Sequence, residues 1–202
     1  METNEGRQLV RAASLGAIEQ VKALLDQDVD VDSRERGRNG QMEASRRGHR
    51  EVVLYLLFRS SDVNVTDNKN KTALMLASKE GHENIVEILV AGGANIFLVD
   101  RAFNSALMQA AFSGHLPVCE FLLSKGADLM AKEKEGQTAR SHYGQYRFFH
   151  LPPETKALRC AALEAAWAAG PHPSQVQRRH DERWARRGPL LWDPSINAYR
   201  YM

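Results

Sequence analysis

Apolar positions recur along the chain in four blocks that share the spacing of one helical face. In each block a valine or cysteine is followed three and four residues later by a pair of aliphatic residues, which places all three on the same side of an α-helix. The pattern therefore predicts four amphipathic helices. The blocks are Val21 with Leu24 and Leu25, Val53 with Leu56 and Leu57, Val86 with Leu89 and Val90, and Cys119 with Leu122 and Leu123.

A glycine turn precedes each block at a nearly constant interval. Gly-His occurs at Gly48, Gly81 and Gly114 at equal intervals. Gly16 lies before Gly48 at an interval that is one residue shorter. An interval of about 33 residues is typical of solenoid repeats. A second apolar segment containing an alanine lies before each glycine, so each unit is predicted to be a short helix, a tight turn and a longer helix. One such unit cannot bury its own apolar face, so neighbouring units must stack.

The segments between the helix pairs contain turn residues and helix caps. A short alternating stretch follows each longer helix, and a turn rich in Asp, Asn, Lys and Gly comes next. A Thr or Ser then opens the following helix, as in Thr72-Ala-Leu-Met and Ser105-Ala-Leu-Met. Such hydroxyl groups accept a hydrogen bond from an otherwise unpaired N–H group at a helix N-terminus. We expect these connections to project as hairpin-like loops.

On these motifs, residues 5–145 resemble the ankyrin-repeat family, whose Thr-Pro-Leu-His-x-Ala motif has Ala for Pro and Met for His in this chain. The resemblance implies an all-α solenoid of stacked helix-turn-helix units with projecting β-hairpin-like loops. Residues 1–150 are predicted to form the repeat domain, with about four repeats and a degenerate fifth at 137–149. A capping helix is predicted within 151–170, where 154–169 are rich in Ala, Leu and Glu.

Two units depart from the family pattern. The second opens as Arg38-Asn-Gly-Gln-Met and lacks Thr-x-Leu, so we expect its inner helix to begin late or fray and this repeat to be the least stable. The fourth loop carries Phe103 where the family has a glycine with positive φ, a costly conformation for an aromatic residue. Either that turn has another conformation or the ring serves in binding.

The C-terminal segment 171–202 has a different composition. Six arginines alternate with aromatic residues, three acids reduce the net charge of the segment to +3, and no helical or strand period is visible. We therefore expect disorder in isolation. The tail could dock on another protein or be inert. Together with the Arg-rich second repeat it also supports an alternative, a nucleic-acid-associated regulator, whose affinity would fall steeply with salt.

The chemistry-bearing residues do not form a recognisable site. The Gly-His histidines occur once per repeat, too far apart to share a metal ion, and Cys119 occupies a position that is valine in other repeats. Phosphate-binding loops, nucleophile elbows and paired catalytic carboxylates are absent from the sequence. We therefore expect neither an enzyme nor a cofactor. Two cysteines, a polar N-terminus and no apolar run of about 20 residues favour the cytoplasm or nucleus, away from membranes. We also expect a monomer.

The resemblance implies a binding surface, because loop tips and exposed positions of the inner helices line the concave side of related proteins. Bases outnumber acids there, which favours a protein partner with an acidic or mixed-charge surface. The chain is thus predicted to be an adaptor, scaffold or regulator, with Phe112 the favoured contact. The candidate residues are Arg36, Arg46, Arg47, Asn68, Lys69, Ser78, Lys79, Arg101, Phe103, Asn104, Phe112, Lys134 and Glu135.

Overall fold

The computed structural model describes residues 4–128, 131–139, 190–193 and 198–201. Its first part consists of four helix pairs, which confirms the predicted solenoid. The inner helices of the pairs are α1 (Asn4–Leu15), α3 (Gly40–Arg47), α5 (Ala73–Glu80) and α7 (Ala106–Ser113). The outer helices are α2 (Ile18–Leu25), α4 (Arg50–Phe58), α6 (Glu83–Ala91) and α8 (Leu116–Ser124). The strands are β1 (Arg34–Glu35), β2 (Arg38–Asn39), β3 (Leu190–Asp193) and β4 (Ala198–Tyr201).

The helices form two layers with the core between them. Each inner helix packs on the inner helix of the next unit, and each outer helix does the same in the second layer. The predicted apolar stripes form much of this core. Val53, Val86 and Leu89 have no exposed surface, and Leu24, Leu57 and Leu123 are partly buried against the core. Helices of eight or nine residues are too short to be stable alone in water. Their stability therefore comes from stacking between units.

The Gly-His histidines join each unit to the preceding one. The Nε2 atom of His82 lies 3.1 Å from the carbonyl oxygen of Arg46, and that of His115 lies 2.9 Å from the carbonyl oxygen of Lys79. His49 makes the same contact at 3.0 Å with Ser14. A carbonyl oxygen only accepts hydrogen bonds, so each imidazole donates from Nε2. The predicted structural role of these histidines is confirmed.

The inner helix of the second unit begins in register, so the prediction of a late start was wrong. Asn39 is the N-cap of α3, and its side chain accepts a hydrogen bond from the Met42 N–H at 3.0 Å. Thr72 and Ser105 cap α5 and α7 in the same way. Asparagine is at least as good an N-cap as threonine. All three helices therefore have the same length of eight residues.

A buried glutamine distinguishes the second unit. Gln41 occupies the position of Leu74 and Leu107 and is 1% exposed. Its Oε1 accepts from the Ser61 hydroxyl at 3.1 Å, whereas its Nε2 has no hydrogen-bond partner within the described part of the chain. An unsatisfied buried donor costs about 1–3 kcal/mol. This agrees with the expectation of a weak second repeat, although the order of repeat stabilities stays a prediction.

Replacing Gln41 with leucine is expected to raise the free energy of unfolding by about 1–2 kcal/mol. The substitution removes the unsatisfied donor and restores the residue type of the third and fourth units, and Ser61 keeps its hydrogen bond to Asp32 at 2.8 Å. Urea denaturation of both proteins measures the difference. A lower stability of Gln41→Leu would show that the amide has a partner that offsets its burial.

Regular structure also occurs near the C-terminus. Strands β3 and β4 pair as an antiparallel hairpin in the register Leu190↔Tyr201 and Trp192↔Tyr199. These eight residues form strands in a segment where the sequence shows no strand period, because alternation over four residues is too short to stand out. Disorder of the isolated tail stays a prediction. The predicted capping helix at 151–170, residues 140–149 of the degenerate fifth repeat and the rest of the tail lie outside the described residues.

Candidate functional site

Acidic side chains fix the backbone of the loop tips. The Asp67 carboxylate accepts from the N–H groups of Lys69 at 2.8 Å and Lys71 at 2.9 Å. Asp100 does the same for Ala102 and Asn104, both at 2.9 Å. Asn104 is therefore half-buried and engaged within its own loop. The tips are held in a defined shape before any ligand binds, which lowers the entropic cost of binding.

Successive tips are joined through their backbones into one continuous edge. The Arg101 N–H donates to the Lys69 carbonyl oxygen at 3.0 Å, and the Lys134 N–H donates to the Ala102 carbonyl oxygen at 3.1 Å. The side chains of Lys69, Arg101 and Lys134 are exposed, as is that of Glu135. Three cations thus follow one another along adjoining tips of the third, fourth and fifth units.

The tip of the second unit has another turn. The connection from Asp28 to Asn39 is one position shorter than the equivalent connection from Ser60 to Thr72. Strands β1 and β2 are accordingly joined by Arg36 and Gly37, with φ values of 53° and 81°. Two central residues with positive φ define a two-residue type I′ turn.

The shorter turn of the second unit places Arg36 beside acidic residues. Arg36 and Asn68 both line an open groove of about 720 Å³, together with Asp28, Asp30 and Asp32. The candidate residues Arg36 and Asn68 are therefore brought together. Arg34 also lines this groove, so acids and bases are mixed there, whereas the joined tips of the later units carry the exposed bases Lys69, Arg101 and Lys134.

Phe103 has the left-handed backbone that the family pattern requires. Its φ is 63°, close to the 58° of Asn70 at the equivalent position, so the two loops have the same turn despite the aromatic side chain. The ring is 53% exposed. About half of the residue therefore stays accessible to a partner in spite of the strained backbone. Strain retained at an exposed aromatic residue favours a role in binding.

The substitution Phe103→Asn is expected to raise the free energy of unfolding by about 1 kcal/mol, because asparagine tolerates the left-handed region better than phenylalanine. Thermal unfolding followed by circular dichroism measures the change. The same substitution should weaken partner binding if the ring is a contact. A loss of stability would instead mean that the ring makes stabilising contacts in the free protein.

The last turn of each inner helix contributes a second row of side chains. Arg46, Lys79 and Phe112 occupy equivalent positions there, and Phe112 is 60% exposed. Lys79 is also exposed, whereas Arg46 is half-buried. Ser78 was predicted to belong to this surface, but it has no exposed area and lies between neighbouring inner helices. Its assignment as a contact residue is therefore wrong.

The bases of the second unit surround one carboxylate. Glu43 accepts from Arg46 at 2.7 Å and from Arg38 at 2.9 Å, and Arg47 lies 3.9 Å away. Arg38 also reaches Asp67 at 3.3 Å. Burial disfavours the Glu43 carboxylate, but the hydrogen bonds and charges of Arg46 and Arg38 outweigh it and lower its pKa. The charges of Arg46 and Arg47 are thus partly neutralised within the protein, even though Arg47 is exposed.

Replacing Glu43 with glutamine should lower stability by about 1–2 kcal/mol at neutral pH, because charged hydrogen bonds to two arginines are lost. A carboxylate with a lowered folded-state pKa stabilises the protein above its unfolded pKa, about 4.3 for glutamate. That stabilisation disappears as pH falls through the folded-state pKa. The difference between wild type and Glu43→Gln should therefore shrink below about pH 4.3, which urea titrations at several pH values would measure. A difference that does not depend on pH would contradict this account.

The described residues contain no cluster of three His, Cys, Asp or Glu side chains that could hold a metal ion. Burial, with a smaller effect of Glu120, raises the pKa of the Cys119 thiol to about 12. The thiol is thus protonated at neutral pH and packs as an apolar group, as the sequence predicted. In the same part of the chain, no helix is long and apolar enough to cross a membrane.

Comparison with known proteins agrees with the repeat geometry. The sequence model of a family described as "Ankyrin repeats (3 copies)" matches residues 9–100 and 41–133. Together the two matches cover more than half of the chain and coincide with the four helix pairs. No curated protein matches the sequence.

Proposed function

Because the chain belongs to the ankyrin-repeat family, whose members are generally protein–protein interaction modules, we propose that its concave side holds an acidic segment of a protein partner. We define this concave side as the loop tips of the third to fifth units together with the last turns of α5 and α7. Its proposed contact residues are Lys69, Lys79, Arg101, Phe103, Phe112 and Lys134.

The observation that carries the proposal is the distribution of exposed side chains. Lys69, Arg101 and Lys134 follow one another along the joined tips, while Asp67 and Asp100 beside them are buried. The carboxylates of Asp67 and Asp100 also accept hydrogen bonds from backbone N–H groups of their own loops. The exposed surface therefore has an excess of positive charge, which attracts acidic partners and steers their approach.

The two exposed rings supply apolar anchor points within this charged surface. Phe103 is 53% exposed at a tip, and Phe112 is 60% exposed on α7. Aromatic residues surrounded by polar groups are the usual sites where interface energy concentrates. We therefore expect the partner segment to combine acidic residues with at least one large apolar side chain.

Such a module acts by occupancy. It either blocks a surface of its partner, as a regulator, or holds that partner near another protein, as an adaptor or scaffold. We propose that it does so as a monomer in the cytoplasm or nucleus. The rigid backbone of the tips supports selective binding, because little ordering is needed when the partner arrives.

Capture from a cell lysate tests the proposal with matched variants. The concave variant carries Lys79→Glu, Arg101→Glu and Phe112→Glu. Arg46 is left unchanged, because a glutamate there would face Glu43. The control carries Arg50→Glu, Ala91→Glu and Lys125→Glu, which make the same change in charge at exposed positions of the outer layer.

The expected result is a protein captured by the wild type and the outer-layer control but lost from the concave variant. Circular dichroism of all three proteins shows whether each is folded. Equal capture by the two variants would contradict binding through the concave side.

A further inference from the structure

The outward face of α4 is more apolar than those of the other outer helices. Leu54 and Phe58 lie one helical turn apart and therefore share one face of the helix. Phe58 is 42% exposed and Leu54 is half-buried. The other units have charged, small or polar residues at both places. The equivalents of Leu54 are Lys22, Glu87 and Glu120, and those of Phe58 are Asp26, Ala91 and Ser124.

The register of the C-terminal hairpin assigns large apolar residues to one of its faces. Leu190 pairs with Tyr201 and Trp192 with Tyr199, and these four positions belong to one face because a strand alternates between its two faces. The positions of the other face are Leu191, Asp193, Ala198 and Arg200. An isolated two-stranded hairpin is marginally stable at best in water. Packing against another element would therefore stabilise this hairpin.

Strand β3 lies next to α4, with Cα atoms of the two elements within 8 Å of each other. Among the four described outer helices, only α4 carries an apolar pair at these positions. It is also the helix that β3 approaches. We propose that the hairpin of residues 190–201 docks by its aromatic face on Leu54 and Phe58 of α4, in the same chain. Covalent connection favours this arrangement over a second copy, because it gives the tail a high effective concentration at α4.

This docking assigns separate surfaces to the tail and to the partner. Helix α4 belongs to the outer layer, whereas the tips and inner helices form the concave side. A partner can therefore occupy the concave side without displacing the hairpin. The inference does not depend on the proposed function, and its test requires no partner.

Amide hydrogen exchange of the full-length chain tests the docking. The double variant Leu54→Glu with Phe58→Ser uses the residues that α8 carries at these positions, Glu120 and Ser124. The solenoid should therefore remain folded. The matched control, Glu87→Gln with Ala91→Ser, changes the equivalent positions of α6. Exchange in α5 and α6 reports on solenoid integrity in every sample.

In the wild type and the control, the amides of residues 190–193 and 198–201 should exchange at least about tenfold more slowly than in the Leu54→Glu, Phe58→Ser variant. Equal exchange in all three proteins, fast or slow, would overturn the proposal. Protection that rises with protein concentration, together with a dimer in sedimentation, would also overturn it, because the occupant would then be a second copy.

Discussion

The substitution Gly81→Ala is expected to lower the free energy of unfolding by about 2–3 kcal/mol, the sum of a backbone effect and a lost contact. Gly81 ends α5 with a φ of 78°, and a left-handed residue with a Cβ costs about 1–2 kcal/mol. An added Cβ would also overlap Nδ1 of His115. The ring must then move and weaken its hydrogen bond to the Lys79 carbonyl oxygen, which is worth about 1 kcal/mol.

Gly136 provides the matched control for this experiment. Its φ is 79°, but nothing lies within 4 Å of a Cβ placed there. Gly136→Ala should therefore cost only the backbone contribution, about 1–2 kcal/mol. Urea denaturation of both variants separates the backbone strain from the contact between units. Equal losses in the two variants would mean that the histidine contact contributes little to stacking.

The substitution Phe112→Ala is expected to weaken partner binding by about 30-fold, which corresponds to the roughly 2 kcal/mol typical of an interface hot spot. The ring is 60% exposed in the free protein, so its truncation should leave stability nearly unchanged. Isothermal titration of the purified partner measures the affinity. Phe58→Ala, on the outer layer, is the control and should bind as the wild type does. An unchanged affinity of Phe112→Ala would remove this ring from the interface.

The helix pairs were predictable because their signals are periodic. The constant repeat interval aligns the glycines, histidines and aliphatic pairs, and stacking of neighbouring units buries the aliphatic residues. The N-cap of α3 was not predicted because the family motif has threonine at that position. The position was nevertheless visible, since Asn39 precedes Thr72 by one repeat interval and asparagine caps helices well.

The surface was less predictable than the core, because exposure depends on how neighbouring units pack. Ser78 was expected on the concave side and is buried, yet its equivalents Ser45 and Ala111 are also small, which is the signal of close helix packing. The ion pairs of Glu43 with Arg38 and Arg46 were missed for a related reason. Arg46 lies three residues after Glu43 on the same helix, whereas Arg38 reaches Glu43 from before the helix start, and charge counting alone does not show which bases are already paired.

The most direct test of binding through the concave side is the exchange footprint of a captured partner on the full-length protein. Binding through the concave side predicts slower amide exchange in the tips at residues 67–71, 100–104 and 133–137 and in the last turns of α5 and α7. Exchange in the outer helices α2, α4, α6 and α8 should be unchanged. Protection confined to the outer helices or to residues 190–201, with unaltered tips, would contradict the account.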